Sequence, residues 1–123
     1  MKVYAFHYVK KNFNYYHFDA DMFEECIRKL KNKYRIIGLE EAEKLKKNTE
    51  DDNIMLTFDD GTKDHYEFVY PVLKKYQVKG VFFLSSNIFE NKILDVQLIH
   101  SLIEKIGIDE LYEDVKKLIK KIK

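Results

Sequence analysis

Ile54-Met55-Leu56-Thr57-Phe58-Asp59-Asp60-Gly61 is the stretch of sequence that decides the fold. Its apolar residues fall on both faces of an extended chain, which predicts a strand covered on both sides, as in a parallel sheet flanked by helices. The strand stops at two adjacent carboxylates, and Gly61 permits a sharp turn because it has no Cβ. In parallel α/β folds, ligands and catalytic groups lie at the carboxyl ends of the strands. We therefore expect Asp59 and Asp60 to lie at the functional edge of a sheet.

The composition of the chain bounds its class. The 123 residues include 46% hydrophobic residues, and 22 basic against 21 acidic residues give a net charge of +1. This balance gives no electrostatic reason to expect a nucleic-acid partner. Cys26 is the single cysteine, which excludes an internal disulfide and is typical of a reducing compartment. No apolar run is long enough for a signal peptide or a membrane span, so the sequence predicts a cytoplasmic protein with no membrane partner.

The periodicity of the chain predicts the order β-α-β-α-β-α-β-α-α. Strands are expected at residues 3–8, 34–37, 54–58 and 78–84, and helices near 21–31, 39–47 and from Pro71 onward, followed by two amphipathic helices. Asp21 and Glu24, and again Asp64 and Glu67, have the spacing of a capping box at a helix start. This order specifies a parallel sheet with right-handed crossovers. Four strands do not close a barrel, so the chain is either a small open α/β domain or the first half of a larger one.

Two chemical readings of Asp59 and Asp60 stay open at this point. Adjacent carboxylates repel each other unless a cation is present. With a metal, one carboxylate can bind the ion while the other acts as a base for the activated water. The alternative is a turn on the protein surface, for which Asp-Asp-Gly is a frequent signal.

The residues around this motif resemble a known family. Thr57-Phe58-Asp59-Asp60-Gly61 resembles the first motif of the polysaccharide deacetylases, the NodB-homology carbohydrate esterases. Phe6-His7-Tyr8 is similar to the family's first-strand Tyr-His motif, with Phe in place of Tyr. Tyr70-Pro-Val-Leu-Lys-Lys-Tyr76 and Gly80-Val-Phe-Phe-Leu84 resemble the helix and strand that follow the first motif. The resemblance covers residues 1–90 in the same order and spacing.

The resemblance implies a fold and an activity. The fold would be α/β, a partial (β/α) barrel of the glycoside hydrolase/deacetylase type with about four parallel strands, flanking helices and a C-terminal helical pair. Residues 1–123 would form one α/β domain, with the barrel portion in 1–90 and a helical segment in 91–123. The activity would be hydrolysis of N-acetyl groups on amino sugars of an oligo- or polysaccharide. It would use a divalent metal, Zn or alternatively Co or Mn.

The family roles carry over by position. Asp59 would be the general base and Asp60 a metal ligand, while His7, Thr57 and Gly61 would lie in the substrate pocket. We assign no chemical role to His7. His65, just past Gly61, could line the pocket, but the sequence favours a surface position for it on the next helix. For Cys26, on a buried helix stripe, the sequence favours an inert thiol.

The second family motif, His-Ser/Thr-x-x-His, is missing from these 123 residues. The nearest match is His100-Ser-Leu-Ile-Glu104, where His100 is an extra candidate ligand although its neighbours indicate an amphipathic helix. One carboxylate does not hold a catalytic zinc, which takes about three protein ligands. The sequence therefore predicts the N-terminal part of a longer deacetylase, inactive or weakly active on its own.

Two other classes stay open. In the first, Asp59 and Asp60 chelate Mg²⁺ in a metal-binding or phosphoacceptor module. In the second, the chain is a non-catalytic interaction domain whose open sheet edge pairs in a homodimer.

Overall fold

The computed structural model describes residues 1–11, 18–45 and 52–122. The chain divides into two compact units, Met1–Ser85 and Ser86–Lys123. No helix among the described residues is long and apolar enough to cross a membrane.

The first unit alternates strands and helices. Its strands in chain order are β1 (Lys2–Phe6), β2 (Val9–Lys10), β3 (Phe18–Asp19), β4 (Arg35–Ile36), β5 (Asn53–Phe58) and β6 (Val81–Phe82). Its helices are α1 (Ala20–Lys33), α2 (Leu39–Lys44) and α3 (Tyr70–Tyr76), the last preceded by a π-helical turn at His65–Val69. The start of α3 at Tyr70 confirms that a turn precedes a helix beginning near Pro71. The predicted end of the second helix at 45–47 and the loop at 48–53 fall partly outside the described residues.

The main sheet is parallel and is built around β5. Among the described residues it has four strands, in which β1, β4 and β6 all pair with β5. Phe58, the last residue of β5, lies opposite both Phe6 of β1 and Phe82 of β6. The sheet does not close on itself within the described residues, so the predicted class, an α/β fold with a partial barrel, is confirmed.

The core lies between β5 and the helices. Ile54, Leu56 and Phe58 are completely buried, and Thr57 of the opposite face is buried as well, which confirms a strand covered on both sides. Phe23 and Ile27 of α1 and Val69 and Leu73 around α3 complete this cluster. Phe58 stacks on Phe6 at 5.4 Å and on Phe82 at 4.9 Å between ring centroids, so the three strand ends are joined by aromatic contacts. Cys26 is half-buried on α1, and burial raises the pKa of its thiol, as expected for an unreactive cysteine.

Neither predicted capping box forms, although Asp64 does take the N-cap position of the π-helical turn. Helix α1 begins after Asp19, whose side chain accepts hydrogen bonds from the backbone amides of Asp21 and Met22. The extended backbone of Asp19 at the end of β3 makes it the N-cap instead of Asp21. Asp64 makes no cap bond and instead accepts a hydrogen bond from the backbone amide of Val9.

Two differences from the predicted strands have local causes. The parallel pair β2–β3 was not predicted, because two-residue strands carry no periodic signal. The last predicted strand, 78–84, is shortened to Val81–Phe82. Its partner β5 ends at Phe58, and the Phe83 amide makes the last sheet bond, to the Phe58 carbonyl at 2.8 Å.

The second unit contains the two predicted amphipathic helices. A 3₁₀ turn at Ser86–Glu90 precedes α4 (Asp95–Ile106), and Gly107 separates it from α5 (Ile108–Ile122). The φ of Gly107 is +83°, a value that favours glycine and allows the chain to break between two helices. No described side chain of either helix is buried.

Candidate functional site

The two carboxylates lie where three strands end together. The backbone amide of Asp59 donates to the carbonyl of Phe6 at 3.1 Å, so the β1–β5 ladder continues one residue beyond β5. Because the sheet is parallel, His7 and Asp59 emerge from neighbouring strands at the same edge. The predicted placement of these residues at one edge of the sheet is confirmed.

The turn after β5 uses two left-handed residues in succession. Asp60 has φ +73° and Gly61 has φ +62°. Gly61 confirms the predicted sharp turn, since glycine adopts this conformation without steric penalty. A residue with a Cβ pays about 1–2 kcal/mol there, and aspartate is among the residues that tolerate it best. Asp60 is therefore held in a strained conformation, of the kind that concentrates at functional sites.

One imidazole faces both carboxylates. Nε2 of His7 lies 3.9 Å from Oδ2 of Asp59, and Nδ1 of His7 lies 3.7 Å from Oδ2 of Asp60. The side chains are 60%, 33% and 23% exposed for His7, Asp59 and Asp60, so the group is open to solvent on one side. Both distances exceed those of a hydrogen bond, so the ring is adjacent to the carboxylates but not locked to them.

A cleft of about 300 Å³ begins at Gly61. Its lining is mostly aromatic and apolar: Gly61, Thr62, His65, Tyr66, Tyr70, Phe82 and Leu84. Of the three predicted pocket residues, Gly61 lines this cleft. Thr57 is 5% exposed within β5. The assignment of His7, Thr57 and Gly61 to a substrate pocket stays a prediction.

The favoured surface position of His65 is wrong, whereas the alternative, a place in the lining of the cleft, agrees with the structure. His65 is 3% exposed in the π-helical turn, not on the surface. Its Nε2 lies 2.5 Å from the backbone carbonyl oxygen of His7. The signal for burial was its spacing of four and eight residues from Val69 and Leu73, which are both buried on the same helical face.

The donor types at this edge suit a divalent metal, but the described residues do not complete a site. Carboxylate and imidazole are ligands that zinc and its neighbours accept. Within residues 1–11, 18–45 and 52–122, however, no group of three or more His, Cys, Asp or Glu side chains is arranged to hold a metal ion. His100 lies on α4 in the second unit, and its role as an extra ligand stays a prediction.

Comparisons with known proteins agree on one family. The family model described as polysaccharide deacetylase matches residues 46–122, which is more than half of the chain. YxkH of Bacillus subtilis (strain 168) is 52% identical over 31 residues, which are 25% of this chain and 11% of that protein.

Solved structures similar to this chain include two proteins that are named as deacetylases. The deacetylase PplD of Streptococcus pyogenes, in complex with acetate, has a TM-score of 0.57 and 27% identity over 67% of this chain and 41% of its own. The de-N-acetylase of Aggregatibacter actinomycetemcomitans has a TM-score of 0.53 and 28% identity over 65% and 35%. IcaB of Ammonifex degensii has a TM-score of 0.59 and 25% identity over 68% and 36%.

The chain spans less than half the length of each of these relatives. The match of the family model nevertheless includes the Asp59-Asp60 motif and both C-terminal helices. The chain therefore belongs to the polysaccharide deacetylase family.

Proposed function

We propose that this chain carries the N-terminal part of a metal-dependent deacetylase that removes N-acetyl groups from amino sugars of an oligo- or polysaccharide. The observation that carries the proposal is the placement of His7, Asp59 and Asp60 at one edge of a parallel sheet, where the His7 ring lies 3.9 Å from Asp59 and 3.7 Å from Asp60. Relatives at 27% and 28% identity support the reaction class. One was solved with acetate, which hydrolysis of an acetyl group releases, and the other is named a de-N-acetylase.

Asp59 is the general base in this proposal and Asp60 is a ligand of the metal. Asp59 is the more exposed carboxylate of the two, so its oxygens can reach a water molecule beside the sheet edge. Asp60 lies on the strained turn, where the backbone fixes the position of its carboxylate. A divalent metal, when bound, would supply an activated water and polarise the amide carbonyl.

The described residues supply too few ligands for this metal. A catalytic zinc takes about three protein ligands and a water, and the 123 residues contain no His-Ser/Thr-x-x-His motif. The proposal therefore includes low or absent activity for this chain alone, with the missing histidines supplied by further sequence.

An assay of acetate release from an N-acetylated oligosaccharide tests this, with Zn²⁺, Co²⁺ and Mn²⁺ supplied in turn. The expected result is turnover no higher than that of the Asp59→Asn variant. Robust turnover that Asp59→Asn abolishes would support the role of Asp59 and overturn the proposed incompleteness. In the gene, codons after Lys123 that encode the histidine motif would support the proposal, and a stop codon there would contradict it.

One observation favours a second candidate, a non-catalytic interaction module. β1 pairs with β5 on one side, and no described strand pairs with its other side. Val3 on this strand is half exposed, although it is apolar. Such an edge invites pairing with another chain. Sedimentation of the purified chain separates the cases, since a concentration-dependent dimer would favour the module and a monomer would not.

A further inference from the structure

The segment that carries His7 is held by two consecutive residues that follow the Asp59-Asp60-Gly61 turn. The backbone amide of Val9 donates to Oδ2 of Asp64 at 2.7 Å, and Nε2 of His65 lies 2.5 Å from the backbone carbonyl oxygen of His7. These pairs are 55 and 58 residues apart in sequence. The two bonds therefore tie the end of the first strand to the turn that follows the central strand.

The remaining backbone bonds of this segment point to other elements. The carbonyl of Phe6 accepts from the amide of Asp59 at 3.1 Å, and the carbonyl of Tyr8 accepts from the amide of Phe18 at 2.8 Å. His7 is thus flanked on each side by residues fixed to the sheet or to β3. The carbonyl of His7 itself is held by the ring of His65, and removal of that ring would remove this hydrogen bond.

Burial strengthens the hydrogen bond between the Val9 amide and the Asp64 carboxylate. Asp64 is 7% exposed, and a carboxylate removed from water needs hydrogen-bond donors. The Val9 amide is such a donor, and hydrogen bonds to a charged acceptor are about twice as strong as neutral ones. Val9 is itself completely buried, so its amide has little access to water as an alternative partner.

The ring of His65 is held in one orientation. A carbonyl oxygen only accepts, so Nε2 of His65 must carry the proton in this contact. The ring packs edge-on against Phe58 at 5.6 Å and at a tilted angle against Phe82 at 5.9 Å between centroids. These contacts fix the direction in which Nε2 donates.

We propose that Asp64 and His65 are positioning residues that hold the His7 ring beside Asp59 and Asp60. The ring lies 3.9 and 3.7 Å from the two carboxylates without a hydrogen bond to either, so its own contacts do not fix its place. The bonds to the carbonyl of His7 and the amide of Val9 restrain the backbone from which the ring projects. The catalytic meaning of this arrangement rests on the proposed deacetylase function. In a deacetylase site, a displacement of about 1 Å can lower the rate by about 10²-fold.

Nuclear magnetic resonance on the whole chain, without metal or substrate, tests the proposal. The readout is the set of Overhauser cross-peaks between the His7 ring protons and the β-protons of Asp59 and Asp60. His65→Phe keeps the aromatic packing and removes the donor, and we expect loss of these cross-peaks in a folded chain. His65→Gln retains an N–H donor, and we expect it to restore them.

Asp64→Ala and Asp64→Asn form a second pair that does not alter the ring. In Asp64→Ala we expect hydrogen exchange of the Val9 amide to accelerate about tenfold or more, with loss of the His7 cross-peaks, whereas Asp64→Asn keeps an acceptor oxygen and retains both. This pair decides the matter if His65→Phe does not fold.

Cross-peaks that persist in His65→Phe or Asp64→Ala, or that His65→Gln does not restore, would overturn the proposal. Since no turnover is measured, such a result leaves the roles of Asp59 and Asp60 untouched. Conversely, failure of the deacetylation assay leaves this positioning role untouched.

Discussion

Nε2 of His65 lies 2.5 Å from the backbone carbonyl oxygen of His7, although 58 positions separate the two residues. The contact joins the first strand of the sheet to the turn that follows its central strand. The residues at the candidate site are therefore organised by tertiary hydrogen bonds in addition to the strand pairing. The local sequence around either histidine does not predict this contact, because it forms only when the chain is folded.

The start of helix α1 gives a direct prediction of stability. Oδ1 of Asp19 accepts from the amides of Asp21 and Met22 at 3.0 and 3.2 Å, so Asp19→Ala leaves two amides without this acceptor. We expect Asp19→Ala to lower the free energy of unfolding by about 1 kcal/mol. Asp21→Ala is the matched control, because Asp21 contributes only a charge in the first turn, worth about 0.3–1 kcal/mol and offset by the good helix propensity of alanine.

Urea denaturation measures both variants, and an unchanged slope with a shifted midpoint shows that stability alone has changed. A larger loss in Asp21→Ala than in Asp19→Ala would contradict the observed cap and restore the capping box expected from the sequence.

Gly80 is a position where the core leaves no room for a side chain. A Cβ there would lie 2.8 Å from Cδ1 of Leu73 and 2.8 Å from Cε2 of Phe58. Both neighbours are buried and packed, so neither can swing into solvent. We expect Gly80→Ser to lower the free energy of unfolding by about 1–3 kcal/mol from overpacking alone.

Gly38→Ser is the control for this prediction. A Cβ at Gly38 would meet Cδ of Lys79 at 2.6 Å, but that side chain is 58% exposed and can rotate away. Gly38 is also the N-cap of α2, a position where serine is favoured. We expect its unfolding midpoint in urea to stay near that of the parent chain, and equal losses for both variants would show that the space around Gly80 can adapt.

The part of the fold that could be predicted is the part that each segment specifies locally. The alternation from Ile54 to Phe58 and its abrupt end at Asp59 gave the central strand, its burial on both faces and the edge where the carboxylates lie. The amphipathic periods gave α4 and α5 in the same way.

What could not be predicted depended on partners distant in sequence. Asp64 has the spacing of a helix cap, yet its carboxylate binds the Val9 amide. A buried amide without a partner costs more free energy than an amide at a helix end that water can reach. Asp19 caps α1 because β3 places it in an extended conformation, and β3 exists only through pairing with β2. The left-handed conformation of Asp60 has no sequence signal beyond the glycine that follows it.

Glu24 provides a prediction about pH. Its Oε1 accepts hydrogen bonds from Nζ of Lys75 at 2.6 Å and from the hydroxyl of Tyr76 at 3.0 Å. These bonds, that of Lys75 first, hold the pKa of Glu24 below its ordinary value of 4.5, while the same pair raises the pKa of Lys75 above 10.5. The contribution of Glu24 to stability is therefore complete above pH 4.5 and is lost as the pH falls through its lowered pKa.

Titration of the side-chain carboxyl carbons by nuclear magnetic resonance measures this directly. In Lys75→Met we expect the pKa of Glu24 to rise toward 4.5. Glu25 is an internal control, since Lys29 lowers its pKa and is unchanged in this variant. A Glu24 pKa that does not respond to Lys75→Met would show that the pair does not persist in solution, as is common for exposed ion pairs.

Two of the left-handed residues, Asp60 and Gln77, allow strain at the candidate site to be compared with strain at an ordinary helix end. Gln77 has φ +53° and ends α3, whereas Asp60 has φ +73° and bears the proposed ligand. At such a position, glycine removes a steric penalty of about 1–2 kcal/mol from the folded chain. It also destabilises the folded chain by about 0.5–1 kcal/mol, because glycine gives the unfolded chain more conformational freedom. We expect Asp60→Gly and Gln77→Gly each to raise the free energy of unfolding by about 0.5–1 kcal/mol in urea denaturation.

Metal affinity then distinguishes the two positions. If Asp60 is a ligand, Asp60→Gly weakens the binding of Zn²⁺ by about tenfold or more in equilibrium dialysis of the longer chain that the proposal requires, in which further histidines complete the site, since even the loss of groups behind a ligand has effects of this size. Gln77→Gly gains the same stability and leaves the affinity unchanged, because its side chain lies at the end of α3. The strain at Asp60 is then explained by function, which selects against the more stable glycine. Equal affinities for the two variants would show that Asp60 does not bind the metal, and a loss of stability in Asp60→Gly would show that its carboxylate has a structural role in the turn.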